Sequence, residues 1–262
     1  MRAHVSLALA AALGLVLAGS AGLGAQAPDQ GRGAPPAAPP TPRAAAPVDL
    51  TGHWVAYITE DWRWRMVTPA KGDYASVPLN VAGKQLADTW DPVKDEAAGQ
   101  QCKSYGAPGL MRAPTRLRIT WLDDTTIKVE TDYGMQTRLL QFRAGTPATA
   151  APSVQGVTTA QWVLAAGGRG RAGAPRRGSL KSVTTRLRPG YLRKNGVPYS
   201  ANTVFTEYWD VLTGPPNNTQ WLVVTNVVVD PANLQVPWTT SVHFKKEPDG
   251  AKWDPTPCSA RF

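Results

Sequence analysis

Five side chains in this sequence carry the chemistry to move a proton near neutral pH or to charge a binding site: His53, His243, Glu60, Asp61 and Glu207. Imidazole is the side chain whose unperturbed titration falls between pH 5 and 8. Of the three histidines, His53 and His243 lie in the body of the chain. A histidine meeting a carboxylate inside an aromatic cavity would abstract a proton or assist an elimination. Indole is in generous supply around them, with ten tryptophans, at 54, 62, 64, 90, 121, 162, 209, 221, 238 and 253. Trp54, Trp62, Trp64, Trp121 and Tyr208 are the rings expected to line a ligand cavity. Arg112, Arg116 and Glu207 are expected to orient the polar groups of a ligand there.

The remaining reactive inventory is short. Cys102 and Cys258 are the two cysteines, and an even count in an exported chain predicts one disulfide. Thiolate catalysis or metal ligation would need a second nearby thiol or a neighbouring histidine, which neither has. There is no His-Glu-x-x-His, no cysteine cluster, no Gly-x-Ser-x-Gly elbow and no phosphate-cradling glycine loop opening a helix. No metal and no cofactor are expected.

The elements that must position these residues are predicted as strands. In "WRWRM" the alternation places Trp62, Trp64 and Met66 on one face and Arg63 and Arg65 on the other. In "RLRITWL" Leu117, Ile119 and Trp121 oppose Arg116, Arg118 and Thr120, and "TIKVETD" follows a turn at Asp123 and Asp124. "MQTRLLQF", "VTTAQWVL", "SLKSVTTRL", "TVFTEYWDV", "QWLVVTNVVV" and "TTSVHFKK" have the β-branched and aromatic content of further strands. About ten such segments predict an all-β fold, an antiparallel β-barrel or sandwich with one short helix and long loops. The helix is placed in "NVAGKQLADTW", capped by Asn80 and stopped by Pro92. Residues 91–116 read as an irregular loop, pinned by Cys102 over one end of the barrel.

The termini and the charge bound the compartment. Residues 1–25 have the form of a signal peptide: basic Arg2, an apolar run from Val5 to Leu17, and small residues before a cut after Ala25. That run is too short for a good membrane span, no stop-transfer pattern follows, and no cysteine stands near the cut for a lipid anchor. Residues 26–47 are Pro/Ala-rich and read as an extended linker, leaving residues 48–262 as a single β domain. Within that domain twenty-five Lys and Arg face eighteen Asp and Glu, a balance of +7. An exported basic protein meets anionic envelope components rather than nucleic acid. The stretch 165–179, with Arg169, Arg171, Arg176 and Arg177, is where that contact is expected. A periplasmic or extracellular location follows.

Two resemblances add to this. Gly52-His53-Trp54 resembles the opening motif of lipocalin-like barrels, in which the tryptophan closes one barrel end against an arginine from another strand. More of the chain is similar to an uncharacterised group of exported bacterial proteins. The matching positions are Cys102, Gly106, Pro108, Met111 and Pro114; Gly196, Pro198 and Ser200; Glu207; and Asp230, Pro231, Pro237 and Trp238. Tyr199 stands where that group often has a histidine. Three readings follow: a small-molecule-binding barrel for an apolar, aromatic or sugar-like ligand, a cofactor-independent lyase, isomerase or hydrolase, and an envelope-associated structural protein.

Overall fold

The predicted alternation folds into pleated strands, and nine of them close into a barrel. The computed structural model describes residues 39–147, 149–165 and 177–261. Expectations for the signal peptide, most of the linker and the basic loop at 166–176 fall outside those residues. Around the barrel the order is β1 (Gly52–Ala56), β11 (Trp238–Glu247), β10 (Thr219–Val229), β9 (Val204–Gly214), β6 (Gly178–Thr185), β5 (Val157–Leu164), β4 (Thr137–Gln141), β3 (Thr126–Thr131) and β2 (Arg116–Asp123). All neighbours are antiparallel except β4 and β5, which touch in parallel at Leu140–Thr158 and Gln141–Thr159. Closure leaves no edge strand for another chain to extend.

The inner face is filled. Trp54, Leu117, Ile119, Ile127, Val129, Leu140, Leu180, Trp209, Leu222, Val224, Val242 and Phe244 form one buried cluster. Next along the barrel comes a polar layer of Arg138, Thr158, Ser182, Thr184, Glu207 and Asn226, all buried. Beyond it Phe205, Val228 and Trp238 begin a second apolar cluster, shared with the loops above. The outer face alternates with these and carries Arg116, Arg118, Lys128, Glu130, Lys181 and Lys245, charges that an apolar lipid-facing band would exclude. Among the described residues no helix is long and apolar enough to cross a membrane.

Both ends of the barrel are covered. At the end that carries the Asp123–Asp124 turn, the compact unit begins at Pro40. The backbone N–H of Arg43 donates to Asp124 O at 3.1 Å, and Trp162 Nε1 donates to Pro42 O at 2.8 Å. The last residues of the Pro/Ala stretch thus lie against the barrel, with Val48 and Leu50 packed on its core. Trp121, Phe142 and Trp162 gather at this end, with ring centroids 5.0 to 6.4 Å apart.

The opposite end carries a cap of short elements: α1 (Trp62–Arg65), α2 (Val81–Ala87), α3 (Pro92–Ala97), a 3₁₀ turn (Lys103–Tyr105), α4 (Ala107–Leu110) and the ribbon of β7 (Gly190–Tyr191) with β8 (Pro198–Tyr199). Asn80 caps α2 as predicted, its side chain accepting from Gly83 N at 2.8 Å. Pro92 does not stop that helix. It occupies the first turn of α3, where its missing N–H costs nothing, behind Asp91, which accepts from Val93 N and Lys94 N. The stretch read as one irregular loop therefore holds two short helices and a 3₁₀ turn. After β11 the chain returns along the outside of β2 and β3. Thr256 N donates to Asp132 O at 3.0 Å, and Cys258 joins Cys102, as predicted, with Cα atoms 5.1 Å apart.

The reading of "WRWRM" as a strand is overturned. These residues form the single turn of α1, with Asp61 before it in the left-handed conformation at φ 53°. Trp62 and Met66 are exposed at 63% and 55%, whereas Arg65 is buried at 4%. The reason is topological: β1 is already paired on both sides, by β11 and β2, so a further strand here would have no edge to join.

Candidate ligand-binding cap

The cap collects most of the charged residues singled out in the sequence. Leaving β1, the chain first continues the ladder beside β11, with Tyr57 N donating to His243 O at 2.8 Å, and the Tyr57 ring stands edge-on to Trp221 at 5.2 Å. This brings Glu60 Oε2 to 3.1 Å from His243 Nδ1, while the other oxygen of Glu60 accepts from Arg65. Asp61 accepts from Arg112 Nη2 at 2.8 Å, and Arg65 Nε donates to the Arg112 carbonyl at 2.8 Å. Burial pushes Glu60 up, but the Thr59 hydroxyl, the Arg65 charge and His243 outweigh it and hold the carboxyl below its usual value.

Beside this network stands Arg193, in the turn between β7 and β8. Its guanidinium lies 5.0 Å from the Trp64 ring and 5.8 Å from the Trp238 ring, and Arg112 lies 4.8 Å from Trp238. Arg193 Nη2 donates to Ser76 Oγ at 2.7 Å, and Trp238 Nε1 donates to Ser76 O at 2.8 Å. Trp64 is fixed by its indole N–H on Asp73, which also accepts from Arg63 at 3.0 Å. Burial and the neighbouring Arg112 charge lower Arg193 to about 10, against the pull of Asp61 and Asp73. Arg65 is lowered to about 10 by burial and by Arg112, opposed by Glu60. Both remain cations at neutral pH.

A cavity of about 330 Å³ lies at the base of the same ribbon, lined by Gly99, Gln100, Cys102, Lys103, Val154, Arg188, Pro189 and Tyr199. Lys103 Nζ is held by Asp95 Oδ1 at 2.6 Å, and Tyr191 donates to the same carboxylate at 2.7 Å. The Arg188 side chain has no hydrogen bond or ion pair among the described residues. Gly106 is required nearby, because a Cβ there would stand 1.9 Å from the Tyr199 hydroxyl. The resemblance motifs meet in this region too: Ser200 donates to Asp230 at 2.7 Å, and the Asp230 carboxylate also accepts from Asn233 Nδ2 at 2.7 Å.

The other predicted site residues are dispersed. Trp54 is buried in the barrel core with Nε1 donating to Leu50 O at 3.0 Å, and the cation over its ring, at 4.3 Å, is Lys246 of β11. Trp62 is on the surface and Trp121 is at the far end of the barrel. Tyr208 and Arg116 point outward, the first beneath Lys181 at 5.8 Å and the second paired with Asp132 at 2.8 Å. His53 and His243 also face outward, since each alternates with a buried neighbour, Trp54 or Val242 and Phe244. Glu207 is inside the barrel, fully buried on Arg138. The expected tryptophan-lined hollow is therefore replaced by rings spread over the core, both ends and the surface. Sequence reasoning missed Arg65, Lys103, Arg188 and Arg193. The one signal for Arg193 was a basic pair set between aromatics in "YLRKNGVPY".

Fold and site together define a filled nine-stranded barrel with a cationic, aromatic cap at one end. Comparison of the chain with protein-family models, with curated proteins and with solved structures finds no match.

Proposed function

We propose that this protein is an exported small-molecule-binding barrel that takes its ligand in the cap rather than in the lumen. The observation that carries this reading is the cavity of about 330 Å³ between the Gly99–Lys103 loop and the β7–β8 ribbon. Its volume falls within the range of small-molecule sites, which combine apolar walls with a few polar anchors. Val154, Pro189 and the Tyr199 ring offer an apolar or flat surface, and Lys103 and Arg188 offer positive charge. The ligand class is a small aromatic, apolar or sugar-like molecule with a negative or strongly polar edge. The proton-transfer alternative is less well supported, because both histidines lie on the outside of the barrel, away from this cavity.

The test is ligand-observed NMR on the secreted chain with a panel spanning aryl carboxylates, neutral aromatics and monosaccharides. Binding by one class is expected, lost in Val154→Trp, which fills the cavity, and weakened about tenfold in Arg188→Ala through loss of a charged hydrogen bond. Binding that survives Val154→Trp unchanged would remove the cavity from the proposal.

A further inference from the structure

A second site, independent of that cavity, is suggested by the charge accounting of the cap. Arg65, Arg112 and Arg193 come from three separate segments, and each is at least 95% buried, with exposures of 4%, 5% and 4%. The acidic groups around them are already assigned: Glu60 to Arg65, Asp61 to Arg112, and Asp73 to Arg63 and the Trp64 indole. Arg193 is left with no carboxylate within ion-pair distance among the described residues. Its Nε and Nη1 have no hydrogen-bond partner, and neither do Arg65 Nη2 and Arg112 Nη1. A buried charge without compensation is strongly unfavourable, and an apolar side chain would fill the space beside two indoles at no such cost. Five N–H donors in a rigid fork suit carboxylate and phosphate oxygens better than any other partner.

We propose that Arg193, assisted by Arg65 and Arg112, is the receptor for an oxyanionic group, phosphate or carboxylate in type, seated beside Trp64 and Trp238. The network reaches solvent at its carboxylates, with the side chains of Glu60, Asp61 and Asp73 exposed at 31%, 30% and 24%. Donors arriving from three segments favour a group that accepts from several directions, so inorganic phosphate is the first probe. The indole faces complete the compensation by holding the guanidinium through its π-contact when the anion is absent.

The experiment uses the secreted chain dialysed into chloride buffer, titrated with phosphate or with acetate at constant ionic strength. Tryptophan fluorescence and thermal unfolding are the two readouts. Saturable, one-site behaviour with a rise in Tm is expected for at least one of the two anions, and which one responds identifies the oxyanion. Arg193→Met should abolish it, Arg193→Lys should weaken it about tenfold by removing the fork while keeping the charge, and Lys94→Ala, which removes an exposed cation of α3 outside this network, should leave it intact. The proposal is overturned if neither anion binds the parent chain, if Arg193→Lys binds like the parent, or if Lys94→Ala loses as much as the Arg193 variants. Should Arg193→Met not fold, the parent, Arg193→Lys and Lys94→Ala decide the matter alone.

Discussion

Glu207 and Arg138 meet deep in the barrel, where neither touches water. Arg138 Nη1 donates to Glu207 Oε1 at 2.8 Å, Ser182 Oγ donates to Oε2 at 3.0 Å, and Trp209 Nε1 donates to the same serine at 3.1 Å. Asn226 stands opposite Glu207 in the β9–β10 ladder, with both side-chain polar atoms lacking a protein partner. Two charges in such a place are held by each other, so removing one strands the other. Glu207→Gln should destabilise the protein by about 3–5 kcal/mol, while Arg138→Met with Glu207→Leu should recover most of the loss. Urea unfolding of the two variants checks this, and a double variant as unstable as the single one would contradict it. The glutamate itself was visible in "FTEYWD". Its inward direction follows from its place between Phe205 and Trp209, but its partner sits 69 positions away, and local pattern cannot reach that far.

At the scale of elements, the segment from Tyr57 to Met66 is the least regular and the most informative. Short-range alternation resembled a strand, yet a closed barrel offered no edge, and the chain turned at Asp61 into a single helical turn. Glu60 is the tie, joining Arg65 and His243. Because its folded carboxyl titrates below the ordinary value near 4.5, the folded state binds fewer protons than the unfolded one through that range. The stability from Glu60 is therefore present above pH 4.5 and lost as the pH falls through the lower, folded value. Glu60→Gln should cost about 2 kcal/mol at pH 7, by leaving the buried Arg65 short of a partner. It should also flatten the fall in stability between neutral and acid pH, with the two curves converging at the acid end. Denaturant midpoints measured from pH 7 downward check both the offset and the slope. The β7–β8 ribbon was not foreseen for a different reason. Strands of two residues each, between Pro189 and Ser200, carry too little alternation to be recognised.

For the whole molecule, the disulfide is the longest-range covalent constraint. It links residues 156 positions apart and returns the C-terminal segment to the cap, where Ser259 N donates to the Tyr105 hydroxyl at 3.2 Å. In the chain-entropy description, closing a loop of this length restricts the unfolded state by about 5 kcal/mol. Replacing both cysteines by serine should lower stability by an amount of that order, measured by urea unfolding, while the barrel strands persist in circular dichroism. Cys102 also lines the cavity, so the same variant should weaken any ligand held there.

The sequence alone determined most strands of the barrel, their buried faces and the pairing of Cys102 with Cys258, but neither the helical turn at Trp62–Arg65 nor the β7–β8 ribbon. Each follows from period-two alternation or from there being two cysteines and no alternative. It also determined that the chain is basic and rich in indole. Only the tertiary structure decided that the barrel closes, that its lumen is packed, and that the charged groups converge on the cap. Those outcomes depend on which distant segments share a boundary. Arg65 shows the physical reason most plainly: alternation set it on the face opposite Trp62 and Trp64, and it is buried because Glu60 and the Arg112 carbonyl supply partners at a site that exists only once the strands have joined.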